Sequence, residues 1–103
     1  MTDKLIRDGK VAVLVSPGYG AGWSTWNHPA KELAMDRELA EAVLSDNPQA
    51  RFEVAERKWP DAYTGGLDDV VVEWVTQGDR FEIHEYVGNE SLHILGPDDG
   101  MVA

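Results

Sequence analysis

From Lys10 to Ser16 the chain reads Val11-Ala12-Val13-Leu14-Val15, a short apolar run with no polar interruption. A strand with one solvated face alternates apolar and polar residues, whereas one that is apolar at every position is buried on both faces. This segment is therefore expected to be an inner strand, and Pro17-Gly18 ends it. The chain has 103 residues and no cysteine, so disulfides, thiolate zinc sites and cysteine nucleophiles are all excluded. A single domain of this length buries about 65% of its unfolded surface and needs no staples.

The other elements follow in order. Residues 1–9 are polar and end in the turn signal Asp8-Gly9. Asn27-His28-Pro29 reads as a helix start, because Asn27 or His28 can cap free amides while Pro29 fits the first turn. Met35, Leu39 and Val43 recur at helical spacing, and Asp36 is placed to restart the helix as a second cap. Asn47-Pro48 repeats the cap-and-proline signal, Phe52, Ala55 and Trp59 continue it, and Pro60 stops it. Asp61 to Leu67 forms a second glycine-bearing loop, with Asp68-Asp69 leading into the next strand.

Three strands are expected after it: Val70 to Val75, Arg80 to Val87 and Glu90 to Leu95, joined by Gln77-Gly78-Asp79 and Gly88-Asn89. After Gly96-Pro97-Asp98-Asp99-Gly100 only a short, frayed tail is expected. The fold class is α+β, with the N-terminal strand, a C-terminal three-stranded antiparallel meander, and two or three helices between them packed on one face. A two-residue turn at Gly88-Asn89 places Val87 opposite Glu90, Tyr86 opposite Ser91, His84 opposite His93, and Ile83 opposite Ile94. Two imidazoles across a ladder, with Glu82 nearby, have the chemistry of divalent-metal ligands. Histidines on the polar side of a sheet also occur solvated or in oligomer contacts, and no metal and no cofactor is assigned.

Net charge is −10, unevenly placed. Residues 1–60 carry nine acids against eight bases, whereas residues 61–103 carry ten acids against Arg80 alone. Such a field repels nucleic acid backbones and attracts cations or basic protein patches, so no direct nucleic acid partner is expected. An anionic ligand would have to bind the first half, where Lys10, Lys31, Arg37, Arg51, Arg57 and Lys58 are found. No apolar run approaches the roughly 20 residues of a membrane helix, and Met1-Thr2-Asp3-Lys4 opens no signal peptide. A soluble, cytoplasmic protein with no membrane partner is expected.

The chemistry concentrates in Gly18-Tyr19-Gly20-Ala21-Gly22-Trp23-Ser24-Thr25-Trp26-Asn27. Alternate glycines free the backbone there, and Tyr19, Trp23 and Trp26 bring three aromatic rings close together. A strand, a glycine-rich loop and a helix start in succession often hold an anion. The spacing here is neither a dinucleotide fingerprint nor a P-loop. Tyr19, Trp23 and Trp26 are expected to stack on a planar group, the amides of Gly20 and Gly22 to meet an anionic one, and Ser24, Thr25 and Asn27 to hydrogen-bond its edges. Tryptophans beside glycines also plug the edges of small cores. Ser24 and His28 lack the flanking geometry of a nucleophile turn, so no catalytic residue is assigned and no enzyme is expected.

Together with Trp59-Pro60-Asp61-Ala62-Tyr63-Thr64-Gly65-Gly66-Leu67, Glu73-Trp74-Val75 and Arg80-Phe81-Glu82-Ile83-His84-Glu85-Tyr86, this loop resembles a family of small proteins encoded by bacteriophages and some bacteria. The chain departs from it at Val87-Gly88-Asn89-Glu90, where the family carries an Asp-Gly hairpin turn. The resemblance implies no reaction. It implies a phage accessory protein, a class that includes decoys, inhibitors and sponges for host defence signals. The expected function is therefore non-enzymatic capture of a small polar, nucleotide-derived host signal, in a homo-oligomer whose interfaces supply concave surface. The alternative is an acidic inhibitor that docks residues 61–103 on a basic host protein.

Overall fold

The computed structural model describes residues 4–18, 22–27, 30–45, 47–96 and 100–103. Its elements are α+β as expected: β1 (Ile6–Arg7), β2 (Lys10–Val15), α1 (Ala30–Met35), α2 (Arg37–Leu44), α3 (Pro48–Lys58), β3 (Val71–Thr76), β4 (Arg80–Tyr86), β5 (Asn89–Ile94) and β6 (Met101–Val102). Single 3-10 turns occur at Ser24–Trp26 and Leu67–Asp69. Among the described residues no helix is long and apolar enough to cross a membrane.

Strand β2 is the inner strand, and it separates two cores. Ala12 and Leu14 face a cluster with Leu39, Ala40, Val43, Val54 and Ala55 of α2 and α3. Val11, Val13 and Val15 face the other way, against Phe81, Ile83, Met35 and Ala103. All five β2 residues from Val11 to Val15 are at most 2% exposed, so every one of them contributes transfer free energy from both sides of the strand.

Helices α2 and α3 are built as their sequence signals direct, whereas of the expected α1 start Asn27 bonds Tyr63 and Trp23 with its side chain and His28-Pro29 lies outside the described residues. Asp36 caps α2 by accepting from the Leu39 amide at 2.9 Å, and Asn47 caps α3 by accepting from Gln49 at 3.1 Å. Asp36 also pairs at 2.8 Å with Lys58 in the last turn of α3, which ties the start of one helix to the end of the next. Arg51 on α3 donates to the carbonyls of Leu67, Asp68 and Val70, fixing the turn that leads into β3.

The strands are divided differently from the expected meander. One antiparallel sheet has the order β1-β2-β3, and a second has the order β5-β4-β6. β3 pairs with β2 along its whole length, from Val71 opposite Val15 to Thr76 opposite Lys10, so Gln77-Gly78-Asp79 is a crossing between sheets and not a hairpin. The cause is the valine face of β2: it needs an apolar cover, and Phe81 and Ile83 provide it only if β4 lies in a separate layer. The tail is also ordered at Met101–Val102, which pairs with Arg80 and Phe81.

The β4–β5 hairpin turns one residue earlier than expected. Tyr86 pairs with Asn89, Glu85 with Glu90, His84 with Ser91, Ile83 with Leu92 and Glu82 with His93. Val87 and Gly88 are the turn residues, both at positive φ, 50° and 85°. A β-branched residue in this region is strained, and Val87 is 59% exposed, so packing does not offset the strain. Replacing it with asparagine would give the Asn-Gly pair that this turn prefers. Val87→Asn is expected to stabilise the fold by about 1 kcal/mol, read from chemical denaturation.

Candidate functional site

The site grows from a carboxylate. Glu90, on β5, is 2% exposed, and a buried carboxylate is costly unless it is hydrogen-bonded. It accepts from the Ser16 amide at 2.9 Å, the Trp23 amide at 2.9 Å, the Thr25 amide at 3.0 Å and the Thr25 hydroxyl at 2.5 Å. Its own amide donates to the Ser16 carbonyl at 2.9 Å. The Ser16 hydroxyl in turn donates to the Gly66 carbonyl at 3.1 Å. The end of β2, the first loop, the second loop and the start of β5 are thus joined around one side chain. The anion held at this loop is the chain's own, and the loop amides that hold it are those of Trp23 and Thr25, not the Gly20 and Gly22 amides assigned to a ligand from sequence.

A second clamp closes the loops on each other. The Asn27 side chain donates to the Tyr63 carbonyl at 2.9 Å and accepts from the Tyr63 amide at 2.6 Å, as a neighbouring strand would. The Trp26 and Tyr63 rings meet above it, with centroids 5.2 Å apart. Gly22 permits this arrangement, because a Cβ there would sit 2.6 Å from the Trp26 ring.

Between the two loops lies a cleft of about 560 Å³, within the usual size range for small-molecule sites. Trp26 and Trp59 give it aromatic walls. Thr25, Asn27 and Asp61 give it polar groups, and Pro60 and Ala62 complete it. Trp26 is 40% exposed and Trp59 half-buried, so both rings present surface.

The loop residues singled out from sequence separate into distinct roles. Thr25, Trp26 and Asn27 line the cleft. Trp23 does not: it is fully buried, its ring N–H donates to the Leu33 carbonyl at 3.0 Å, and it meets Trp59 edge-on at 5.9 Å. Its expected stacking role is corrected to that of a core plug supporting Trp59. Ser24 is buried as well and is not among the residues lining the cleft, and its hydroxyl has no hydrogen-bond partner among the described residues. Gly22 is buried under Trp26. Tyr19, Gly20 and His28 lie outside the described residues.

His84 and His93 are diagonal neighbours and not a directly opposed pair, yet their rings stack with centroids 4.0 Å apart. His84 meets Glu82, and His93 meets the Ser91 hydroxyl at 3.1 Å. Stacked rings direct their in-plane lone pairs alongside each other, not toward one ion. Among the described residues no group of three or more acidic or histidine side chains is placed to hold a metal.

Sequence reasoning missed Glu90 and Trp59 as site residues. Glu90 shares the inward side of its strand with Leu92, and a lone acid in an apolar alternation is a signal of a buried, partnered charge. Comparison of the chain with protein-family models, curated proteins and solved structures gave no match.

Two substitutions test this construction. Glu90→Gln keeps the shape but removes charge and one acceptor oxygen, and is expected to cost about 2–3 kcal/mol in denaturation experiments. Ser24→Ala removes a buried hydroxyl that lacks a partner, and is expected to leave stability unchanged or raise it by up to about 1 kcal/mol.

Proposed function

We propose that the protein is a non-enzymatic binding module that captures a small, planar, polar ligand in the cleft between its two loops. The observation that carries this reading is the cleft itself, with Trp26, 40% exposed, and the half-buried Trp59 as aromatic walls and the exposed Asp61 carboxylate in its lining. A nucleobase suits such a cleft, since stacking on an aromatic side chain contributes about 1–3 kcal/mol per base. The Asp61 carboxylate would then accept from a donor on its edge. Capture requires affinity and no turnover, so a site without a nucleophile or an oriented base is sufficient for it.

Charge is distributed in a way that refines the ligand. The amides of Trp23 and Thr25 are committed to Glu90, and Lys58 to Asp36 and Glu38. Recognition in the cleft therefore rests on ring and edge, with a phosphate of a nucleotide-derived ligand directed outward to solvent. In a phage accessory protein, as the resemblance implies, this capture would sequester a host signal and counter a defence response. Assembly of copies into a homo-oligomer would deepen so open a cleft.

Native mass spectrometry of protein purified from its host, followed by denaturation and mass analysis of what is released, tests the reading. A stoichiometric small molecule is expected. Titration of that molecule into Trp26→Ala is expected to show affinity lowered by about tenfold or more, with Ser24→Ala unchanged. Equal affinity in Trp26→Ala would remove this cleft from consideration.

The acidic-inhibitor reading retains one specific support: every described acid of residues 61–103 except Glu90 is exposed, and Tyr86, 70% exposed, stands beside them at the hairpin tip. It predicts a protein partner captured from lysate and released by moderate salt, with binding indifferent to Trp26→Ala.

A further inference from the structure

The cationic side chains are scarce in this chain, and most are spoken for. Arg37 pairs with Glu41, Arg57 with Glu38, and Lys58 with Asp36. Arg51 and Lys4 donate to backbone carbonyls. Arg80 also has no ion pair among the described residues, but it stands alone, half-buried, on β4 of the second sheet. Arg7 and Lys10 are different. Neither has a carboxylate within ion-pair distance or a side-chain hydrogen bond among the described residues, although the chain carries 19 acids.

The register brings these two cations together beside a ring. Asp8 and Gly9, at φ 52° and 75°, make a two-residue turn that sets Arg7 directly opposite Lys10. Lys10 and Ala12 share a face of β2, and Ala12 is opposite Trp74 of β3. Arg7, Lys10 and Trp74 therefore occupy one face of the first sheet, at the end beyond Ala12 and Leu14, where the helices pack. The Arg7 guanidinium carbon is 5.9 Å from the centre of the Trp74 ring, which stays 37% exposed. With Asp8 these side chains line a cleft of about 290 Å³.

Like charges directly opposite each other on a ladder are destabilising. A hairpin that holds two cations opposed, with no acid paired to either, keeps an arrangement that a bound anion would relieve. We propose that this cleft is a second binding site, distinct from the Trp26–Trp59 cleft, for a small aromatic anion no larger than a mononucleotide. Its planar ring packs on the Trp74 indole, and its phosphate or carboxylate lies between the Arg7 guanidinium and the Lys10 ammonium. Asp8 on the rim opposes a second negative group, which limits the site to ligands of low charge. The division of labour follows from the chemistry: the loop cleft has rings and no free cation, and the sheet cleft has both.

The probe is adenosine monophosphate, with adenosine and inorganic phosphate as controls, titrated while the indole N–H resonances of the four tryptophans are followed. Trp74→Phe assigns the Trp74 signal. Adenosine monophosphate is expected to shift it and to bind at least about fivefold more tightly than either control, because only it engages ring and cations together. Lys10→Ala and Arg7→Ala change exposed residues, so the fold is expected to persist, and each should weaken binding by about fivefold or more. Raising salt from about 50 to about 300 mM should weaken it further. Inorganic phosphate binding as tightly as the nucleotide would overturn the aromatic part of the proposal. Unchanged affinity in both alanine variants, or a shift at Trp26 with none at Trp74, would overturn the site itself. The last outcome would leave the loop cleft as the binding site, so the two readings fail separately.

Discussion

The carboxylate of Glu90 lies where the two sheets and the first loop meet, and the geometry of the candidate site depends on it. Three backbone amides and a hydroxyl converge on this one side chain. A hydrogen bond to a charged group contributes more than one between neutral groups, and leaving the same amides buried without partners would cost about 1–3 kcal/mol each. The network therefore holds the loop in one conformation by making the alternatives expensive. With Trp23 anchored below and Asn27 clamped to Tyr63 above, Trp26 is presented at a defined angle.

The same network divides one short motif between the core and the cleft. Trp23 and Ser24 point into the protein, while Thr25, Trp26 and Asn27 line the cleft. Trp59 connects the two groups, edge-on to Trp23 and open to the cleft. A planar ligand would meet rings whose positions are set by buried contacts, which lowers the entropic cost of ordering the site on binding.

Much of the local structure was legible in the residues themselves. The caps at Asp36 and Asn47, the helix stop after Lys58 and the doubly buried strand from Val11 to Val15 all follow from short-range rules of capping and patterning. The hairpin register was not legible. Gly88-Asn89 is an acceptable turn by local preference, but the chain turns at Val87-Gly88 because Glu90 must reach Ser16 and the first loop. A tertiary contact overrides a turn preference here, at the cost of a strained valine. The two registers differ by an even step, so the same residues face inward in both, and alternation could not tell them apart.

What the sequence by itself determined is the helical segments and the four longer strands, β2 to β5, the apolar sides of these elements, and that the stretches from Gly18 to Asn27 and from Trp59 to Leu67 are rich in aromatic and glycine residues, while the two-residue strands β1 and β6 carry no pattern of their own. These properties depend on neighbours within a few positions. Only the tertiary structure decided that β3 joins β2 and leaves β4 to begin a second sheet, that the two loops face each other, and that the anion held by the first loop is Glu90 from more than 60 residues away. The physical reason is that pairing, burial and charge neutralisation are settled by competition among distant groups for the same partners, and no local pattern records which of them wins.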